Sequence, residues 1–285
     1  MKHIKRNSLI ILLVTLLVLF LALKDDFNAI MATFGRMDYR FILLAILLYG
    51  IYIFLKAVVN YIWVHDKKVL SLKEAFVHNI ITQFFNGITP FSTGGQPMEV
   101  YMLKEHGIRT TRATNIIMQK FIVYQLALVI FGIFAVSYNA ATGVLQNNVL
   151  LKNLIVLGFF INTIVAVFLF FIAISKKFTN FVMRVIVNLC TKLHFIKDKK
   201  ATMQKWEERL EDFHQYTKEL KKKKKLFVIG VALHLLSLAC FYSIPLFLTY
   251  SLHDSTSLTL INSMVASAYV LIIGAFVPIP GATGG

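Results

Sequence analysis

Three charged side chains sit within or beside long apolar stretches: Lys56, Lys120 and Glu99. A charge at the centre of a bilayer costs roughly 2.5–3.5 kcal/mol on insertion scales, so each needs a reason. A lysine at such a position holds an anion, a lipid phosphate for instance, or else snorkels its ammonium to the interface. Glu99 either pairs with a basic residue or a cationic headgroup, or is a plain interfacial carboxylate. Asn79, Gln83 and Asn86 recur at intervals of four and three, which places them on one helical face. They either bond between helices or line a cavity. His234 reads as a packed, bonded histidine more readily than as a proton relay.

Two short elements share a pattern. Pro90-Phe91-Ser92-Thr93-Gly94-Gly95 and Pro280-Gly281-Ala282-Thr283-Gly284-Gly285 both read P-x-x-T-G-G. Each follows an apolar helix-like run. Proline removes a backbone donor and glycine opens left-handed backbone, so both elements break helices. In lipid such a break is tolerated only when buried in protein or lining a watery cavity. Amides freed at the following helix N-terminus can face an anion such as phosphate. The other reading is two unrelated surface loops.

Enzyme signatures are missing: no G-x-x-x-x-G-K-[ST] loop, no H-E-x-x-H, no C-x-x-C and no G-x-S-x-G elbow. Ser92 and Thr93 have no histidine base close in sequence. Cys190 and Cys240 lie in apolar surroundings without metal-ligand spacing and read as packing residues. No metal, nucleotide or other cofactor is expected, so any transport would run on gradients or as passive scrambling.

The elements that must position these residues follow from composition. Of 285 residues, 57% are hydrophobic and 15% charged. Soluble domains run nearer 45–50% and about 25%. That excludes an ordinary soluble enzyme, a disordered tail and a disulfide scaffold, and leaves a polytopic membrane protein. Apolar runs long enough to cross cover 8–23, 41–64, 113–136, 153–175 and 226–250, and 258–277 crosses at least partly. The first run follows Lys2, Lys5 and Arg6 and has no A-x-A-like cleavage site, so it reads as a retained signal-anchor helix. The expected fold is all-α and polytopic, with about six transmembrane helices plus broken, re-entrant Pro-Gly segments.

The net charge of +16 would suggest nucleic acid in a soluble chain, but its distribution follows membrane topology and no DNA partner is expected. With the N-terminus in the cytoplasm, segments 1–7, 65–74, 98–112 and 176–225 hold 24 of the 30 Lys and Arg. External segments hold four, and Lys56 and Lys120 lie inside spans. The single transmembrane unit 1–285 carries one sizeable polar stretch, 176–225. Within it, 181–195 repeats apolar residues every four, as an interfacial helix does. Residues 201–225 read as a charged helix ending in Lys221, Lys222, Lys223, Lys224 and Lys225. That run is a solvated stop-transfer flank and also suits anionic inner-leaflet lipid.

Parity links the two broken elements. The first starts from the cytoplasmic side, three spans intervene, and the second therefore starts from outside. Broken segments entering from opposite faces are the arrangement of inverted-repeat transporters, whose site lies near the midplane. The second element stops at Gly285 in mid-pattern, and further spans are expected beyond it.

Residues 86–97, Asn-Gly-Ile-Thr-Pro-Phe-Ser-Thr-Gly-Gly-Gln-Pro, with Lys104-Glu105-His106-Gly107 and Ala113, resemble the lysylphosphatidylglycerol synthase transmembrane family. This is the flippase-like region also found in the multiple peptide resistance factor. Residues 278–285 resemble that family's second motif. The acidic residue and helices that usually follow that motif are absent here, as is the cytosolic acyltransferase-like domain of full-length synthases. The resemblance implies a bacterial inner-membrane protein that binds or translocates a phospholipid, aminoacylated phosphatidylglycerol or another anionic-lipid derivative. The headgroup site would comprise Asn86, Pro90, Ser92, Thr93, Gly94, Gly95, Pro280, Gly281, Thr283 and Gly284, with Lys56, Lys120 and Glu99 as charge partners. No catalytic residue is assigned. The alternatives are lysyl transfer from lysyl-tRNA to phosphatidylglycerol, with a separate soluble transferase domain as partner, and a membrane scaffold docking through 176–225.

Overall fold

Hydrocarbon offers no water to backbone amides, so a long apolar run must close its hydrogen bonds within itself as a helix. The computed structural model describes residues 27–64, 69–90, 92–143, 149–193, 198–221, 224–253 and 258–274, with scattered positions before residue 25. The expected first span therefore lies almost entirely outside the described residues. So do Phe91, Lys222, Lys223 and the whole second element with Pro280, Gly281, Thr283 and Gly284.

The described residues form ten helices and no strand. They are α1 (Phe27–Arg36), α2 (Tyr39–Val64), α3 (Leu72–Ile88), α4 (Gly95–Glu105), α5 (Thr110–Thr142), α6 (Val149–Ile174), α7 (Lys176–Lys192), α8 (Lys199–Lys221), α9 (Lys224–Ser251) and α10 (Leu260–Gly274). Four are long and apolar enough to cross a membrane: α2, α5, α9 and the Ile155–Ile174 part of α6. At about 1.5 Å per residue, the 26 to 33 residues of α2, α9 and α5 exceed the roughly 30 Å hydrocarbon thickness. α10 is apolar but shorter. The architecture is an all-α, multi-pass membrane protein.

α2 and α9 form the most extensive helix pair and run antiparallel. At one end Trp63 packs on Phe227, with ring centroids 6.4 Å apart. Gly230 lies so close to the Trp63 ring that a side chain there would collide with it. At the other end Phe41 meets Tyr250 at 5.5 Å, and the Asp38 N–H donates to the Ser251 carbonyl at 2.8 Å. The core divides accordingly. One cluster gathers Val59, Trp63, Leu70, Leu103 and Ile116 at the basic face. A second gathers Phe131, Ile155, Tyr242, Val265 and Tyr269 toward the opposite face.

Pro245 stands inside α9 and breaks its hydrogen-bond ladder. Serines of α10 repair the break. Ser263 and Ser267 both donate to the Tyr242 carbonyl at 3.1 Å, and Ser263 Oγ accepts the Leu246 N–H at 3.2 Å. Neighbouring hydroxyls commonly resatisfy a proline kink in lipid in this way. The α2–α3 contact is similar: Asn79 Nδ2 donates to the Ile53 carbonyl at 3.0 Å. Asn79 and Ser267 are each the eighth residue of their helices. Because α2 and α9 are antiparallel, these two helix pairs point in opposite directions.

On the basic face, α7 and α8 form the polar layer. Phe181, Val185 and Leu189 along one side of α7, and Leu193 at its C-cap, remain exposed. α8 packs on the start of α5, where the buried Asn115 amide donates to the Phe213 carbonyl at 2.9 Å and to Thr217 Oγ1 at 2.8 Å. The Lys176–Glu211 ion pair joins the two surface helices. Lys224 and Lys225 begin α9 and are exposed. Cys190 and Cys240 are both free thiols.

Candidate functional site

α3 starts cleanly because Ser71 and Glu74 form a capping box. Glu74 N–H donates to Ser71 Oγ at 3.2 Å, and Ser71 N–H donates to Glu74 Oε2 at 2.7 Å. The Ser71 bonds hold the exposed Glu74 carboxyl below its ordinary range. α3 ends because Thr89 precedes proline, which favours extended backbone, and Thr89 adopts φ −112°, ψ 144°. The chain then turns and returns as α4. Glu74 on the first turn of α3 lies 3.7 Å from His106 at the end of α4. Both ends of this helical hairpin thus sit on one face. The first Pro-Gly element thus forms the turn of a helical hairpin.

The turn satisfies its own amides. Gly94 N–H donates to Thr89 Oγ1 at 2.8 Å, and Gly95 N–H donates to Asn86 Oδ1 at 2.9 Å. Ser92 takes a left-handed φ of 52°. A Cβ on Gly94 would lie 2.5 Å from Thr89 Cγ2, and one on Gly95 would strike the Asn86 amide. Both glycines are therefore required by close approach. Asn86 serves the turn as well as facing the interior, and Pro90 sets the break.

A cavity of about 530 Å³ opens between this hairpin and α2, α5, α6, α9 and α10. It falls within the 300–1,000 Å³ typical of ligand sites. The sequence-derived candidates Lys56, Asn86, Ser92, Thr93, Glu99 and Lys120 all line it. Lys120 does not snorkel: its ammonium donates to Glu99 Oε1 and to Asn60 Oδ1. Only 13% of the Lys120 side chain and 7% of the Glu99 side chain are exposed. Glu99 is accordingly a buried partner rather than an interfacial carboxylate. Lys56 Nζ donates to Tyr52 OH at 3.2 Å and lies 5.0 Å from the centre of that ring. It has no carboxylate partner among the described residues.

Several lining groups were not anticipated. Asn60 follows Lys56 by four residues and Tyr124 follows Lys120 by four, so helical spacing alone could have found them. Thr82 Oγ1, Gln96 Oε1 and both ring nitrogens of His234 are buried without a partner among the described residues, and all three side chains line the cavity. His234 is packed against Tyr124 at 5.4 Å, and its ring nitrogens have no hydrogen-bond partner among the described residues. Gln83 is absent from the lining, whereas Asn79 and Asn86 are in it.

The cavity is amphipathic. Charged and amide groups gather at the hairpin end. Leu128 and Val129, one to two turns further along α5, join Phe159 and Val165 of α6 and Ile272 of α10 in an apolar part. α10 starts at the face opposite the hairpin's ends and brings Leu271 and Ile272, near its end, to this cavity.

No curated protein and no solved structure matches the chain. The family described as the lysylphosphatidylglycerol synthase TM region matches over residues 8–285. The chain belongs to that family, and membership points to a multi-pass membrane protein of the lysylphosphatidylglycerol pathway.

Proposed function

We propose that this protein binds a phospholipid headgroup in the α2–α5 cavity and moves it between leaflets, lysylphosphatidylglycerol or a related lipid being the cargo. One observation carries the reading. A broken hairpin, an intramembrane ion pair and a second lysine converge on a cavity that is polar at one end and apolar at the other. A headgroup needs the polar end, and its acyl chains suit the apolar walls. Pro280, Gly281, Thr283 and Gly284 are proposed to complete the site from the opposite leaflet. The basic face is proposed to be cytoplasmic, in a bacterial inner membrane, with Lys221–Lys225 near anionic lipid.

The test is reconstitution. Vesicles holding the purified protein should expose a headgroup-labelled phospholipid to an external quencher faster than protein-free vesicles. Equal rates would reject translocation. The family's pathway also supports lysyl transfer as a second reading. It requires lysyl-lipid in extracts of cells expressing this chain alone.

A further inference from the structure

α7 presents an apolar side that no other element covers among the described residues. The chain bends at Ser175, whose hydroxyl caps α7 by accepting the Phe178 N–H at 3.3 Å. Phe178 then meets Phe168 and Phe171 of α6, with ring centroids 5.6 and 5.9 Å away. One straight helix would hold Phe168 and Phe178 about 15 Å apart along its axis, so α7 turns back across the end of α6. Around α7 the residues sort into three sides. Thr179 and Val187 are buried; on that side Lys176 pairs with Glu211 of α8, and Thr179 Oγ1 lies 3.4 Å from His214 Nε2. Phe181, Val185, Ile186 and Leu189 form an exposed apolar side. Lys177, Arg184 and Asn188 form an exposed polar side. α7 holds four basic residues and no acidic one. Lys177, Arg184 and Lys192 have no ion-pair partner among the described residues.

We propose that α7 lies in the plane of the bilayer on the protein's basic face, with its apolar side among acyl chains and Lys177, Arg184 and Lys192 against anionic phospholipid headgroups. Two observations select the membrane surface as occupant. One is continuity. Phe168 and Phe171 are exposed on a helix long and apolar enough to cross, and Phe178 extends their surface onto α7. The other is charge. An apolar stripe edged by unpaired cations is the pattern of helices that bind anionic lipid in-plane. A second copy docked symmetrically on this side would bring like charges together. The surface stands apart from the cavity. The Lys176–Glu211 pair joins α7 to α8, and Asn115 joins α8 to α5, so lipid held by α7 moors the whole polar layer to the leaflet.

The experiment uses the full chain with Cys190 and Cys240 replaced by serine, and an environment-sensitive fluorophore on Val185→Cys or on Asn188→Cys. Vesicles are made of phosphatidylcholine with or without phosphatidylglycerol. Quenchers carried on acyl chains should act severalfold more strongly on the Val185 label than on the Asn188 label, and acrylamide in the water should show the reverse order. Phosphatidylglycerol should deepen both contrasts. Replacing Lys177, Arg184 and Lys192 together by glutamine should remove that dependence on phosphatidylglycerol. A Val185 label open to acrylamide and untouched by the lipid quenchers would overturn the proposal. So would one shielded from both quenchers, which would mark a protein partner or a second copy on this side. Equal contrasts with and without phosphatidylglycerol would overturn the anionic assignment, and this comparison stands even if the triple variant does not fold.

Discussion

Lys120 of α5 reaches across to Glu99 of α4, so that the returning arm of the helical hairpin is fastened to a helix long and apolar enough to cross a membrane. Asn60 of α2 shares the same ammonium. One buried ion pair thereby ties three elements around the cavity and fixes where its charge lies.

Removing one partner leaves the other charged and buried, which typically costs about 3–5 kcal/mol, whereas removing both is far milder. Glu99→Gln and Lys120→Met should each lower the unfolding midpoint in detergent markedly, and the double variant should recover much of the loss. A double-mutant cycle with no coupling would show that the two side chains do not interact.

The hairpin turn depends on absent side chains and on two borrowed acceptors. Gly95→Ala forces the Asn86 amide aside, an overpacking cost of about 1–3 kcal/mol. Asn86→Ala leaves the Gly95 N–H without its acceptor, at about 1–3 kcal/mol. Both should raise hydrogen exchange at Gly94 and Gly95. Because each variant disrupts the same bond, their combined effect should fall short of the sum.

Ser263 matters because of Pro245. Ser263→Ala removes the acceptor for the Leu246 N–H and should destabilise by about 1–3 kcal/mol. In a Pro245→Ala background the straightened helix can bond that amide itself, so Ser263→Ala should cost much less. Equal penalties in both backgrounds, measured by denaturant titration in mixed micelles, would argue against the repair described here.

The capping box gives a pH signature. The Ser71 backbone N–H and hydroxyl hold the Glu74 carboxyl below its ordinary range. A depressed carboxylate stabilises fully above its unfolded value, about pH 4.3, and that contribution is lost as pH falls through the folded value. Glu74→Gln should therefore be less stable than wild type at neutral pH, and the two should converge on acidification. A constant gap down to strongly acid pH would rule out this linkage.

The helices were legible because hydrocarbon leaves few alternatives: the runs 41–64, 113–136, 153–175 and 226–250 all became helices, extended at one or both ends. Pro90, Gly94 and Gly95 announced the helix break because proline and glycine act locally. Lys56, Glu99 and Lys120 were visible as misplaced charges, but their sequence did not say that Lys120 would turn to Glu99 rather than to the interface. That choice depends on α4 returning beside α5, a tertiary fact. Thr82 and Gln96 were not singled out as lining groups because a single uncharged polar residue is ordinary until a cavity forms beside it. Asn115 was equally silent, since its partners Phe213 and Thr217 lie about a hundred residues away.

The most direct measurement places a cysteine at Thr82, inside the cavity, in a chain with Cys190 and Cys240 replaced by serine. Anionic and cationic thiol reagents of equal size are then compared in vesicles. A cavity whose described lining carries two lysines and one glutamate should react faster with the anionic reagent, and an anionic phospholipid such as phosphatidylglycerol should protect it better than phosphatidylcholine. Indifference to the reagent's charge together with no protection by phosphatidylglycerol would mean that Lys56, Lys120 and Glu99 do not form an anion-binding headgroup site.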